Sequence, residues 1–377
     1  MKPAVLAVAA ALFVAAAAPA HAQADPNKVL RAVFPTAETG FDPQAAGDIY
    51  SNAVNRVIFD TLYKYDHLAR PLQLVPNTAV ALPEITDGGK TWTMRVKPGI
   101  FFADDPAFKG QKRELTAADY VYSWKRILDP RMRANALNAI EGRILDPDGV
   151  LAKARQAGQL DLDAKLEGLQ AIDRYTIRMK LNFPDAELLA NLTTTAFGAV
   201  AREVIEAYRD GSGWAMANPV GTGPYRLKEW RRGQKIVLEA NPGYREERYP
   251  ESSDPADKAI MAKLKGKRVP LVGRVEISII EEGNPRLLAF RGRELDYVGV
   301  PNDLVWNVLE PPATLKPALA KEGVVLGRGV QPAITYTYFN MEDPVVGGYT
   351  PDKVALRRAF SLGYNVDEEI RVIRQGQ

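Results

Sequence analysis

Few side chains in this sequence are equipped for covalent or metal chemistry. There is no cysteine, and the two histidines are His21 and His67. Without a thiol there is neither a thiolate nucleophile nor a sulfur ligand. His67, in the turn Tyr65-Asp66-His67-Leu68, cannot make a histidine-rich zinc site alone, and a lone turn histidine reads as solvated. No G-x-S-x-G elbow, phosphate-cradling G-x-x-x-x-G-K-[ST] loop or H-E-x-x-H helix occurs. Gly221-x-Gly223 lacks the third glycine and the downstream acid of a dinucleotide site. What remains is adjacent acids such as Asp104-Asp105, Glu246-Glu247, Glu281-Glu282 and Glu368-Glu369. Acid–base catalysis needs carboxyls converging on one substrate, whereas sequence neighbours project to different sides of a strand or helix. These pairs read as surface charge. No catalytic, metal or cofactor site is expected.

The most informative elements surround Asn218-Pro219-Val220-Gly221-Thr222-Gly223-Pro224-Tyr225. This is a tight turn feeding a strand, in which Gly221 and Gly223 are expected to supply positive φ and Pro224 to fix the exit. Tyr225, Leu227 and Trp230 begin a half-buried strand. Ile236-Val237-Leu238 is its hairpin partner across Arg232-Gly233-Gln234, and Asn241-Pro242 is the stop. Upstream, Val29–Phe34 reads as a strand, and Asp42-Pro43 closes the loop behind it. Ile49–Leu62 reads as an amphipathic helix with Ile49, Ala53, Val57 and Ile58 on one side. Asp87-Gly88-Gly89-Lys90 is a hairpin turn before the alternating strand Thr91–Val96. Thr116 should N-cap the next helix, with Asp119 at N3. Ala103–Arg113 reads as a charged surface loop, residues 130–168 as a polar helical insertion, Tyr175–Leu181 as a strand and Asp185–Leu192 as a helix. Residues 246–270 read as loop-like, and the basic stretch Lys258–Arg268 as a solvated helix face. Val275–Ile280 is a strand, Pro285–Arg291 a helix and Thr335–Asn340 a strand. Helices over Val354–Arg358 and Phe360–Ile373 follow.

Lys2, the apolar run Ala4–Ala18 and Ala20-His21-Ala22 have the layout of a cleavable signal peptide over residues 1–22. The run is short for a membrane span, which takes about 20 apolar residues; an uncleaved anchor is the alternative. With no cysteine to lipidate, a freely diffusing periplasmic protein is expected. Hydrophobic residues make up 46% and the formal net charge is only +3, which gives no argument for a nucleic-acid partner.

Several of these strings resemble those of the family 5 extracellular solute-binding proteins, the oligopeptide and dipeptide receptors of ABC importers. Pro219–Tyr225 with Asn241–Tyr244 resembles the family's "PVGTGPY … NPxY" core, and Asp87–Phe101 its "DGxTWTFxLRxGxxF", with Met94 and Val96 as replacements. Leu115–Arg126 is similar to "LTAxDVxxSxxR", and Arg293–Tyr297 to "GELD", with the glycine one place early at Gly292. Arg357-Arg358-Ala359 and Asn365–Ile370 resemble "R-x-A … D-R-E-x-I", with Asn365 where the family has Asp.

The resemblance implies an α/β, periplasmic binding protein-like two-lobe fold that closes on its ligand by hinge motion. Residues 25–60 and 190–272 would form the first lobe, 61–189 an extra subdomain, and 273–377 the start of a second lobe, truncated because family members continue beyond this point. It implies capture of an extended peptide through its backbone, and as partners the peptide and an ABC importer permease in the inner membrane, with the receptor a monomer. The implied ligand-binding residues are Gly47, Asp48, Ile49 and Tyr50 after the Asp-Pro loop, and Tyr336, Tyr338 and Asn340 near the hinge. Tyr336 and Tyr338 share a strand face by the period of two. Packing of both tyrosines in a core remains an alternative, as does a plain helix start for Asp48 and Tyr50. Other ligands open at this point are a sugar, an opine, a nickel chelate or haem; a non-transporting fragment is the remaining reading.

Overall fold

The computed structural model describes residues 24–311, 313–329 and 336–376. The expected signal peptide and Thr335 lie outside them. The chain divides after Ile279 into two compact units.

The first unit holds two four-stranded sheets. One has the order Asp25–Phe34, Val272–Ile279, Lys235–Ala240, Tyr225–Arg231. Its first two strands are parallel, with Leu30 opposite Val275 and Phe34 opposite Ile279, and the other pairs are antiparallel. A register shift between Leu227 and Glu229 lets Trp230 share the core side with Tyr225 and Leu227 despite its odd spacing. Phe41, Val54, Ile58, Ile236, Leu238 and Ile277 form that core. The strand Val272–Ile279 is thus part of the first unit, and the division falls later than the expected start of the second lobe.

The other sheet is antiparallel, in the order Glu84–Thr86, Thr91–Arg95, Thr176–Lys180, Leu169–Ala171. The Asp87-Gly88-Gly89 turn forms as expected, and Trp92, Met94 and Val96 alternate inward. The helix Ala117–Leu128 packs on this sheet. Its capping box is complete, the Thr116 N–H donating to Asp119 Oδ2 at 2.7 Å.

Tertiary contacts overrode several local expectations. The helix after Asp48 runs from Ile49 to Ile58 and stops short of Leu62. Its buried side is Ser51, Val54, Asn55 and Ile58, leaving Ile49 72% exposed. Two of those buried residues are polar, so an apolar stripe could not have found them. Neither Gly221 nor Gly223 has a positive φ. They are glycine for lack of room: a Cβ would lie 2.0 Å from the Ile58 carbonyl oxygen at Gly221, and 2.5 Å from that of Val57 at Gly223. Residues 130–168 contain one α-helix, Val150–Ala157, with short 3-10 turns at Pro130–Met132 and Leu137–Ala139, and bury Ile140, Ile144, Leu151 and Leu160. Only Leu188–Asn191 is helical where Asp185–Leu192 was expected. Residues 246–270 include a short antiparallel pairing of Glu247–Arg248 with Arg268–Val269, and a helix, Lys258–Leu264, with no buried residue.

The second unit begins with the helix Gly283–Arg291 and has a small core of Leu287, Leu304, Val305, Val308, Leu309 and Leu319. Its helix Pro351–Gly363 is longer than expected, and Val366–Glu368 continues into a single wide turn, Glu369–Ile373. Residues 336–340 are not a strand, which corrects the expectation for Thr335–Asn340 over the part described.

Candidate ligand-binding edge

Ligands of open α/β sheets sit beyond the carboxyl ends of parallel strands. Here the parallel pair ends at Phe34 and Ile279, on one edge. Because Lys235 pairs with Ser278 and the Ile279 N–H donates to Gln234 O at 2.9 Å, the hairpin turn 232–234 reaches the same edge. The loop after Phe34 and the start of the helix Ile49–Ile58 join it there.

Asp48 caps that helix: Oδ1 accepts the Tyr50 and Ser51 N–H groups at 3.0 and 2.7 Å, and Oδ2 accepts the Thr39 hydroxyl at 2.6 Å. Partial burial would raise its pKa, but the hydrogen bonds from Ser51 and Thr39 outweigh this and hold the carboxyl below its ordinary value. Gly47 admits a close neighbour, since a Cβ would meet the Asn135 amide. The Tyr50 ring lies 5.0 Å from that of Phe34, and Ile49 faces outward. The four residues therefore sit together at a helix start on the sheet edge. Sequence reasoning missed two of their neighbours. Thr39 gives its N–H to Ser51 Oγ at 3.0 Å. Glu38, 3% exposed, accepts the Trp230 indole N–H and the Gly233 N–H on Oε1, while its Oε2 has no partner among the described residues.

In the second unit Tyr336 and Tyr338 are 71% and 78% exposed, with ring centres 6.2 Å apart. They form an exposed pair and do not pack in a core; with no strand there, the argument from a period of two lapses. Asn340 is exposed, and its Oδ1 accepts the Glu342 N–H at 3.1 Å, making a local turn. His67 is exposed, with its Nε2 3.1 Å from the Tyr249 hydroxyl.

A buried polar network lies under the Gly221–Gly223 turn. Asp60 accepts Arg245 at 2.6 Å, Asn77 at 3.0 Å and the Thr222 hydroxyl at 2.9 Å. Burial would raise the Asp60 pKa, but the Arg245 charge and these donors outweigh it and hold the carboxyl low. Arg245 also donates to Glu247 at 3.0 Å, and Glu247 takes Lys64 and the Tyr244 hydroxyl as well. The pair Glu246-Glu247 is therefore not simply surface charge. A single acid in the apolar run Ile58-Phe59-Asp60 was the available signal. A second internal pair, Arg126 to Asp42 at 2.5 Å, fastens the helix Ala117–Leu128 to the loop behind the first strand. Among the described residues no group of three His, Cys, Asp or Glu side chains could hold a metal ion, and no helix is long and apolar enough to cross a membrane.

Residues 73–377 match the family described as bacterial extracellular solute-binding proteins, family 5 middle. The chain belongs to this family. Family 5 members are binding proteins rather than enzymes, and their relatives here include peptide receptors. The chain is 25% identical over 378 residues to di/tripeptide-binding protein 2 of Pseudomonas aeruginosa, covering 96% of this chain and 59% of that protein. To the periplasmic oligopeptide-binding protein OppA of Salmonella typhimurium it is 27% identical over 239 residues, 63% of this chain and 40% of that one. The chain spans about half the length of the curated relatives it matches. Among solved structures, the ABC transporter-associated periplasmic binding protein DppA of Helicobacter pylori, in complex with the peptide STSA, superposes with a TM-score of 0.64 at 21% identity, over 92% of this chain and 58% of that one. Haemophilus influenzae OppA in complex with RPPGFSPFR gives 0.56 at 20% identity, over 76% and 49%. The fold class is thus the α/β, two-lobe type of the periplasmic peptide-binding proteins.

Proposed function

We propose that this chain is the ligand-capturing part of a periplasmic receptor that binds oligopeptides and delivers them to the permease of an ABC importer. Family 5 membership carries the reading. Its support in the first unit is the sheet edge where Gly47, Asp48, Ile49 and Tyr50 meet the hairpin turn; the exposed Tyr336 and Tyr338, with Asn340, are the second unit's candidates. Residues 25–60 with 190–279 would form the first lobe, extended past the expected end at 272 to take in the second strand of the parallel pair. Residues 61–189 would be the inserted subdomain built on the other sheet, and the second lobe would begin beyond Ile279. The receptor would act as a monomer, without catalysis, and reach the periplasm by removal of residues 1–22.

Native mass spectrometry of the protein exported to a periplasm tests this reading. A ladder of co-purified peptide masses, on a chain shortened by its first 22 residues, is the expected result. One discrete non-peptide mass would replace the peptide by another solute. A thermal scan with added peptides gives a second measure, since a ligand at one hundred times its Kd stabilises by about 2.7 kcal/mol.

A further inference from the structure

In the second unit, the helix Gly283–Arg291 presents Asn284, Leu287, Leu288 and Arg291 to a cavity of about 280 Å³, which Asn307 and Lys316 also line. Steps of three and four residues put the four helical members on a single stripe. Leu287 is 7% exposed and ties the stripe to the unit's core, while Leu288 stands 66% exposed beside it. Backbone hydrogen bonds fix Lys316: its N–H donates to Val308 O at 3.0 Å, and its carbonyl accepts the Leu319 N–H at 3.0 Å. The volume lies just under the roughly 300–1,000 Å³ of ordinary ligand sites and suits a small solute.

The lining is one-sided in charge. It carries two cations, Arg291 and Lys316, and two carboxamides, Asn284 and Asn307, but no acid. Among the described residues none of these four side chains has a hydrogen bond or an ion pair. Arg286, on the same helix, is by contrast engaged by the Ile280 and Glu281 carbonyls at 3.0 and 2.7 Å. Both lining cations are charged at neutral pH, and a monocarboxylate would balance only one of them. A phosphate group brings close to two negative charges and three strong acceptor oxygens. A guanidinium fork meets two such oxygens side by side, an ammonium adds a compact charge, and the carboxamides supply further N–H donors. We propose that this cavity binds a dianionic phosphate group, free or as a small monoester, with Arg291 and Lys316 as its charge partners. The site needs no peptide, so the inference stands apart from the peptide-receptor reading.

The test is a titration of inorganic phosphate into the full chain labelled with nitrogen-15 and deuterium, at constant ionic strength made up with sodium chloride. The side-chain amide resonances of Asn284 and Asn307 should shift saturably, and acetate, a monoanion, should bind more weakly. Arg291→Gln and Lys316→Gln should each weaken phosphate by roughly tenfold or more. Asn307→Asp, which adds a negative charge at nearly unchanged size, should do the same. Arg291 and Asn307 are exposed, so their variants leave the core untouched, and an unchanged melting temperature checks this. Butyl phosphate separates the two sources. If it binds more tightly than inorganic phosphate and Leu288→Ser removes the difference, the ligand is an ester whose apolar body lies on Leu288. Equal affinities point to free phosphate. The inference is overturned if phosphate leaves both wild-type amides unmoved, a result that needs no variant, or if acetate binds as well as phosphate. Wild-type affinity in a chain carrying both Arg291→Gln and Lys316→Gln would overturn it too.

Discussion

Replacing Gly221 by alanine separates two reasons for which a chain needs glycine. Gly221 has no positive φ, so alanine meets no left-handed strain there. Its Cβ would instead sit 2.0 Å from the Ile58 carbonyl oxygen and 2.7 Å from the carbonyl carbon. A relaxed C···O contact is about 3.3 Å, so turn and helix end must part by roughly 1.3 Å. That movement breaks the hydrogen bond from Gly223 N–H to the same oxygen, now 2.9 Å. The lost bond costs about 1 kcal/mol and the overpacking about 1–3 kcal/mol, for a total of about 2–4 kcal/mol. Gly88 is the control, with φ +59 and nothing within 4 Å of its would-be Cβ. Alanine there meets only the left-handed cost of about 1–2 kcal/mol, partly offset by about 0.4–1 kcal/mol of lost unfolded-chain entropy. Urea unfolding followed by circular dichroism should show Gly221→Ala to be the more destabilising, by roughly 2 kcal/mol at the midpoints of these ranges. If Gly88→Ala costs as much, or Gly221→Ala lies within about 0.5 kcal/mol of wild type, the close-approach argument is wrong.

Asp60→Ala strips the Arg245 guanidinium of its main buried partner, and a loss of about 3–5 kcal/mol is expected, read as a lowered melting temperature; an unchanged melt would mean that the network is not stabilising. Acid should destabilise the fold. Asp60 and Glu247 both have folded pKa values below their unfolded ones, Glu247 because Lys64, Tyr244 and Arg245 outweigh its burial. Their contribution is complete above the unfolded carboxylate range near about 4 and is lost as pH falls through the folded values. Melting temperatures that hold steady or rise from neutral pH to pH ~3 would contradict this sign. Asp48→Ala removes a helix N-cap and should cost about 1 kcal/mol, while Asp48→Asn, which still accepts from Ser51, should cost less. No loss in either melt would show that the cap contributes nothing, and equal losses that a neutral acceptor does not replace the carboxylate.

Elements with local causes were legible in the residues. The Thr116 capping box, the Asp87-Gly88-Gly89 turn and the alternation of Trp92, Met94 and Val96 each depend on neighbours a few positions apart, and each forms. Elements closed by distant contacts were not. Asn55 and Ser51 face inward on the helix Ile49–Ile58; of the expected apolar stripe Ile49, Ala53, Val57 and Ile58, Ile58 is on the buried side while Ile49 and Ala53 are exposed. Residues 130–168 look polar, yet they bury Ile140 and Leu151 because the sheet beside them supplies the other half of a core. Of the candidate site residues, Asp48 was legible as a helix-start residue. Glu38 was not, since a lone acid in a Thr-Ala-Glu-Thr loop has no local signature.

By itself the sequence determined the family, through strings whose spacing survives in Asp87–Phe101, Leu115–Arg126 and Val220–Asn241, and the lack of any thiol for chemistry. The tertiary structure alone decided why Gly221 and Gly223 must be glycine, which acid is paired and which is open. Those properties belong to the approach of segments far apart in the chain: Ile58 against Gly221, Arg245 against Asp60, Trp230 against Glu38. Spacing along a chain records only what neighbouring residues do to one another; distance and burial exist only after the chain has folded.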